Sequence, residues 1–519
     1  MSGRSTETAK TRFPPPGKTP REDTAAVMKF YKLPRAFPAE VLKEAAALRI
    51  PDAAELKSRK DLRDRFIFTC DPQTARDFDD ALSLETDRDG NRVLGVHIAD
   101  VSHFVRPGSA IDREAYRRST SVYFCDRVVP MLPEELSNGL CSLVPGEDRL
   151  AFSVFITFDG SAQVVKRSFA RTVIRSKARF TYEEVMSVIA GGSVARVWRG
   201  PKPIAVDRTI RGISELAQTL RAKRFAAGAL DLDVPEAEVL LDDNGEMSGI
   251  ETRINDESHQ MIEECMVAAN EAVAEELWSK GIKILTRLHE PPDEERMWQL
   301  RAELKGLGVK MGNIANPKVF AQFLSAIKKH PLYPTIAVMV LRSMKRAVYD
   351  SRTIGHFGLA KKFYAHFTSP IRRYPDLTLH RQLARYISGG SPRVAPKLLA
   401  TWAEHVSEKE ERAAEAERSL LEIKKFRLLE AELAARRPVE YSGVISKCTP
   451  FGCFVEIPEL AVSGLVHISL LSRGFVRFNE SDMSLSGGGG RVWRVGDRLK
   501  VHVAKVDFRQ RRIDFAVSR

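Results

Sequence analysis

The chain lacks any apolar run approaching the ~20 residues a membrane-spanning helix requires, which excludes an integral helical membrane protein. Its amino terminus has no apolar core of the kind a secretory signal needs. Glu7, Glu22 and Asp23 there run against the acid-poor composition of an organelle transit peptide. Cysteine is scarce: six in 519 residues, scattered along the chain, exclude a disulfide framework and point to a reducing, cytoplasmic setting. Acid is outnumbered, 68 Asp and Glu against 81 Lys and Arg, for a formal net charge of +13. Such an excess is the footprint of a polyanion partner, most often nucleic acid, or else of a surface with surplus lysine. The composition, 43% hydrophobic and 29% charged, is ordinary for a globular protein, and the length suggests about three domains.

Residues 1–26 are polar, contain Pro14-Pro15-Pro16 and show no periodicity, so they read as a disordered basic tail. Residues 27–60 read as a linker and a lead-in helix from Pro38 to about Arg49, with Val41, Leu42, Ala45 and Leu48 at helical spacing and Pro51 ending it. A mixed α/β region follows over 61–436. Its strand-like runs include 65–69, 93–98 and 151–156. Over 258–279, Met261, Ile262, Cys265, Met266, Ala269 and Val273 predict a helix, and 396–436, free of Gly and Pro after Pro396, predicts one or two long helices.

Past Pro438 the period changes. Short alternating runs at 440–446, 451–457, 464–468, 498–506 and 511–517 interleave aromatics with Lys and Arg. They suit an OB-type barrel over 438–519 that stacks bases and attracts a phosphate backbone. Gly487 to Gly490 reads as a flexible insertion in it. The fold class is therefore α+β and multidomain, a mixed α/β domain followed by a small OB-fold barrel.

The most informative stretch is Thr69-Cys70-Asp71-Pro72-Gln73-Thr74-Ala75-Arg76-Asp77-Phe78-Asp79-Asp80, four aspartates directly after an apolar run. Like charges this close repel, and a cation relieves the crowding. Hard carboxylate oxygens favour Mg²⁺, or Mn²⁺, over Zn²⁺. In a basic groove such ions suit phosphodiester cleavage, activating water and steadying the leaving oxygen. A solvated acidic loop or a Ca²⁺ loop is the alternative, although the EF-hand order is absent. A second stretch, Tyr364-Ala365-His366-Phe367-Thr368-Ser369-Pro370-Ile371-Arg372-Arg373-Tyr374-Pro375-Asp376-Leu377, predicts a helix start at Ser369-Pro370 with Arg372 and Arg373 beside one anion. An ordinary capped helix with surface arginines remains the plainer reading.

Taken together, these residues resemble the ribonuclease II/ribonuclease R family of RNB-type 3′→5′ exoribonucleases. The resemblance runs from about residue 30 to the carboxyl terminus. It adds Tyr31 to Pro38, Gly95 to Val101, Ser121 to Phe124, Val129 to Pro133, Ser137 to Leu143 and Ile262 to Met266 to the two stretches above. It implies Asp71, Asp77, Asp79 and Asp80 as the Mg²⁺ and catalytic site, with Asp79 the most sensitive carboxylate. Arg372 would hold the phosphate, and Tyr123 would pack against the 3′-terminal nucleotides and set where digestion stalls. Glu263 or Glu264 would bind ribose hydroxyls, and Glu417 would sit near the 3′ end. Phe451, Phe454 and His467 are the barrel's candidates for RNA contact. His97, His103 and His366 are assigned structural roles, and Cys448 with Cys453 lacks the partner pair a zinc site needs.

Two departures stand out. Leu232 occupies a position, in Ala229-Leu230-Asp231-Leu232-Asp233, where many relatives place an aromatic. Stacking there is worth about 1–3 kcal/mol per base, so the 3′ base would be held more loosely. Larger relatives also carry two N-terminal cold-shock-type barrels that find no counterpart here, which implies looser RNA capture and easier admission of structured RNA with a 3′ overhang. The expected activity is Mg²⁺-dependent, processive hydrolysis of single-stranded RNA to nucleoside 5′-monophosphates and a short residual oligonucleotide, by a monomer with RNA as its partner. The rivals are a catalytically weak RNA-binding or regulatory homologue, and a DNA nuclease indifferent to the 2′-OH.

Overall fold

In the computed structural model, residues 13–194, 197–198, 204–232, 236–253, 255–312, 317–330, 332–435, 438–472, 474–480 and 482–518 are described. Asp233 and residues 1–12 lie outside them.

The acidic stretch is mounted on a seven-stranded sheet. Its spatial order is Lys60–Asp61, Val164–Arg175, Asp148–Phe158, Arg92–Ala99, Asp80–Thr86, Phe68–Cys70 and Ala178–Phe180. The two outermost pairings are parallel and the inner ones antiparallel. The central strands are apolar on both faces because both faces are covered. Leu82, Val96, Ile98, Phe152 and Val154 face the helices Val206–Ala226 and Glu257–Ser279, while Ala81, Ala99 and Ala151 face Ala39–Ala47 and Ala110–Arg118.

One polar group crosses the sheet interior. His97 sits between the hydroxyls of Ser83 (2.9 Å) and Ser153 (2.7 Å), and burial pushes its pKa down to about 3. It is a neutral structural histidine, as expected. Gly95 makes room for it: a Cβ there would stand 2.4 Å from Ser83 Oγ and 2.8 Å from the His97 ring.

The lead-in helix spans Ala39–Ala47, the 258–279 helix is Glu257–Ser279, and 396–436 is one helix, Pro396–Ala434. The barrel strands Tyr441–Thr449, Gly452–Ile457, Val462–His467, Arg512–Val517 and Arg498–Asp507 close on one another. Phe426 and Leu429 of the long helix join the barrel's core.

Three expectations need correcting. The supposedly disordered tail is structured from residue 13, with a helical turn at Pro20–Glu22 and a helix at Asp23–Phe30 that buries Val27 and Met28. Its partners lie far away in sequence, which local periodicity does not register. Gly487 to Gly490 is not a flexible insertion: Gly487 ends one strand and Gly488–Gly490 form a 3-10 turn within a three-stranded sheet, Val476–Asn479, Ser484–Gly487 and Val492–Trp493, anchored by buried Leu485 and Trp493. Ser369-Pro370 does not start a helix. Asp376 accepts the Ser369 N–H at 2.8 Å, the chain turns there, and the helix begins at Tyr374.

Candidate active site

Residues 71–79 link the strand Phe68–Cys70 to the strand Asp80–Thr86. Asp71 is tied to the sheet by its N–H, which donates to Phe180 O at 3.1 Å. The alternation Asp77-Phe78-Asp79 then sends Phe78 to one side and both carboxylates to the other. Phe78 is buried in the apolar cluster beside Leu136 and Leu143. Ser142 pins the turn: its hydroxyl accepts from Phe78 N (3.0 Å) and donates to Arg76 O (2.7 Å).

The arginine arrives from the far end of the domain. Residues 119–121 pair with 372–374 through Ser121 N to Arg372 O (3.0 Å) and Tyr374 N to Ser119 O (2.9 Å). This brings Ile371 N to 2.9 Å from Asp79 Oδ1 and Arg372 Nε to 3.7 Å from Asp79 Oδ2. The Asp79 side chain is 6% exposed and that of Arg372 44%, so the guanidinium has an open face. Arg373 differs. Only 17% of its side chain is exposed, and it donates to Asp376 at 2.7 Å, which locks the turn. Of the two arginines expected beside one anion, Arg372 is the one that stands at Asp79 with an open face, while Arg373 is tied to Asp376.

Burial raises the pKa of Asp79 well above the usual carboxylate range, against the pull of Arg372 and the Ile371 N–H. Asp71 and Asp80 are raised as well, chiefly by burial, and Asp71 adds to the rise at Asp80. Asp71 Oδ2 is buried with no hydrogen-bond partner. The neighbouring Cys70 thiol lies in the core, and burial with Asp71 keeps it protonated. An orphaned hard oxygen beside further destabilised carboxylates suits a divalent cation, whose charge would reverse those shifts. Among the described residues no three such side chains already close on one point.

Around this centre, Tyr123 is 41% exposed, and its hydroxyl donates to Asp77 Oδ2 at 3.3 Å. Glu417, on the long helix, accepts the Tyr123 backbone N–H at 2.6 Å. One of its carboxylate oxygens thereby fixes the tyrosine's backbone. The paired glutamates part ways: Glu264 is buried against Arg224, whereas Glu263 keeps 39% of its side chain exposed. Glu264 thus sits in a core ion pair, while Glu263, which also reaches Arg224 at 3.1 Å, is the one with an accessible carboxylate. Leu232 packs with Leu230 against the cluster around Phe320 and Ile336.

His366 is buried, neutral and bonded through Nδ1 to the Tyr349 hydroxyl at 2.8 Å. His103 makes an edge contact with Phe104. On the barrel, Phe451 is 49% exposed and lies edge-on to Phe454. His467 pairs in register with Gly452 beside them. Cys448 and Cys453 face each other across two strands as buried free thiols.

Sequence reasoning missed Ser142, Asp376 and Arg179. Arg179 donates to the carbonyls of Pro72 (2.7 Å) and Gln73 (2.8 Å) and offsets Asp71. Ser142 and Asp376 sit inside or beside motifs already singled out, whereas nothing near Arg179 in sequence marks it.

Residues 59–389 match the model of the RNB domain, and 440–518 that of the S1 RNA binding domain. Ribonuclease R of Thermotoga maritima is 41% identical over 98% of this chain and 74% of its own length. The Escherichia coli ribonuclease R is 36% identical, over 94% of this chain and 61% of that one. The solved ribonuclease R of Mycoplasma genitalium, bound to ribose-methylated single-stranded RNA, superposes with a TM-score of 0.86 at 30% identity, covering 96% of this chain and 78% of that one. Yeast Ssd1, described as a pseudonuclease, shares the fold at a TM-score of 0.74 and 21% identity, over 90% of this chain and 58% of its own.

Proposed function

Because the chain belongs to the ribonuclease R family of RNB-domain proteins and is a 3′→5′ exoribonuclease of single-stranded RNA, we propose that it works processively, with Mg²⁺, and releases nucleoside 5′-monophosphates. The observation that carries this reading is the meeting of Asp79 with Arg372 at 3.7 Å, two groups from opposite ends of the domain, with the Ile371 backbone N–H also donating to the Asp79 carboxylate. A solvated acidic loop gives no reason for that convergence.

Asp71, Asp77, Asp79 and Asp80 would hold the cation, Mg²⁺ in preference and Mn²⁺ as a substitute. Bound there, it supplies Lewis-acid charge to the phosphate and to the attacking water. Arg372 directs its open face to the non-bridging oxygens and offsets the charge that grows on them. Tyr123, steadied by Glu417 and Asp77, packs on the terminal nucleotides. Glu263 meets the ribose hydroxyls, which distinguish RNA from DNA. Water adds to phosphorus, the bond to the upstream 3′ oxygen breaks, and the nucleotide leaves with its 5′ phosphate.

The barrel patch of Phe451, Phe454 and His467 would guide the incoming strand. We also propose that the protein acts in the cytoplasm as a single chain, a setting in which its six cysteines stay unpaired. No helix among the described residues is long and apolar enough to cross a membrane.

A non-catalytic, RNA-binding role is the second reading, since a pseudonuclease shares this fold. All four aspartates and Arg372 are present here, which favours catalysis. The deciding experiment follows mononucleotide release from poly(A) with and without EDTA, beside an Asp79→Asn variant. Release that stops in EDTA and in the variant, with RNA binding retained, is the expected result. EDTA-insensitive release, or turnover by the variant, refutes the assignment.

A further inference from the structure

We infer that residues 13–31 form a brace that positions Tyr123 and the 3′-end clamp, with the buried Asp23–Lys424 ion pair as its latch. The inference rests on the exoribonuclease reading above. Its first support is the latch. Asp23 is fully buried and Lys424 is 2% exposed, at 3.1 Å. A buried lysine is costly unless its donors are used, and all three are: the other two reach Pro20 O at 2.5 Å and Gly245 O at 2.6 Å. Arg427 adds a second cation to Asp23 at 2.8 Å and bonds Gly17 O at 2.7 Å.

One lysine on the long helix thus ties the amino-terminal segment to the turn of the hairpin formed by Glu236–Leu241 and Met247–Arg253. Arg21 repeats the tie at Asp243 O. The segment is cut to fit. A Cβ on Gly17 would lie 2.6 Å from the Glu22 backbone, and one on Gly245, at φ +76°, would touch Arg21.

The second support is what the brace touches. Val27 and Met28 pack with Val122, Phe124 and Val129 and with Ala413, Ala416, Leu420 and Ile423. Thr24 donates to Asp126 at 2.9 Å, and Tyr31 bonds Ser419 at 2.9 Å. The first group is the two-stranded hairpin that carries Tyr123. The second is the stretch of long helix that carries Glu417, whose carboxylate holds the Tyr123 N–H. A two-stranded hairpin is marginal alone, so its placement against the long helix depends on the helix Asp23–Phe30, which packs on both. The brace acts on Tyr123 through packing and touches none of the reacting groups.

The test compares the full-length chain with Asp23→Ala and with the paired variant Asp23→Ala/Lys424→Met, which removes the buried lysine along with its carboxylate, leaves only the part-exposed Arg427 without its Asp23 partner, and guards against simple unfolding. On a 5′-labelled oligoadenylate, both are expected to raise KM by about tenfold while kcat stays within about twofold, and to stop at a longer end product. Asp23→Glu is expected to restore part of the loss. Wild-type KM and end-product length in both variants overturn the brace. Should the unmodified chain release no mononucleotides, the exoribonuclease reading fails instead. The brace is then read from RNA affinity in an Asp79→Asn background, where unchanged affinity in both variants overturns it.

Discussion

At the scale of single residues, neighbouring arginines separate by burial. Arg372 and Arg373 are equivalent in sequence, and only the fold gives one an open face and the other a buried partner in Asp376. Replacing Arg372 with alanine removes a group that is 44% exposed, so the melting temperature should barely move. Loss of its charge at the phosphate should lower kcat by about 10²–10³-fold. Arg373→Ala has the opposite signature. It strands Asp376 and should cost about 3–5 kcal/mol, visible as a shifted denaturation midpoint. Equal stability losses in the two variants would contradict the division. The aspartate signature was legible because crowded carboxylates demand an explanation wherever they lie. Arg179 was not, since its work is done by reaching the Pro72 and Gln73 carbonyls from a strand 107 and 106 residues on.

At the scale of elements, periodicity located the helices and strands but not the side each residue presents. The helix Glu257–Ser279 shows both outcomes. Its apolar positions predicted the buried stripe, yet Glu263 and Glu264 stayed indistinguishable until Arg224 was seen to bury the latter. Glu264→Ala should therefore lower stability by about 1–3 kcal/mol, because the buried Arg224 guanidinium keeps only its bond to Glu263 at 3.1 Å. Glu263→Ala should leave stability nearly unchanged and narrow the preference for RNA over a matched DNA oligomer. Parallel digestion and thermal melts separate the two. The acidic turn makes a similar point. Ser142→Ala leaves Phe78 N–H and Arg76 O without their side-chain partner, a cost of about 1–3 kcal/mol. The slack it introduces between Asp77 and Asp79 should appear as a lower kcat that added Mg²⁺ does not restore. The helix start expected at Ser369-Pro370 failed because a side chain seven residues on, Asp376, captures the Ser369 N–H, a competition that a local signal cannot reveal.

At the scale of the molecule, the net charge of +13 and the proposed barrel patch should make separable contributions to holding RNA. The barrel itself was readable from its period-two runs, and its closure by five strands follows from that pattern. Its attachment through Phe426 and Leu429 of the long helix was not readable, because those residues look like any other turn of that helix. Charge draws the strand in and releases counterions, so affinity should fall linearly with salt on logarithmic axes, by about 0.7 per phosphate contact for a single strand. Stacking releases none. On the barrel's outer face Lys447 is exposed and pairs in register with Phe454, next to Phe451, so both kinds of contact can be removed from one patch. In an Asp79→Asn background that spares the RNA, Phe451→Ala should weaken binding by about 1–3 kcal/mol and leave the salt slope unchanged. Lys447→Gln should reduce the slope by about 0.7 and weaken binding most at low salt. Fluorescence anisotropy of a labelled oligoadenylate across a salt series reads both. If neither variant alters affinity at any salt concentration, the barrel patch lies off the RNA path, and the positive charge that matters must be sought on the catalytic domain.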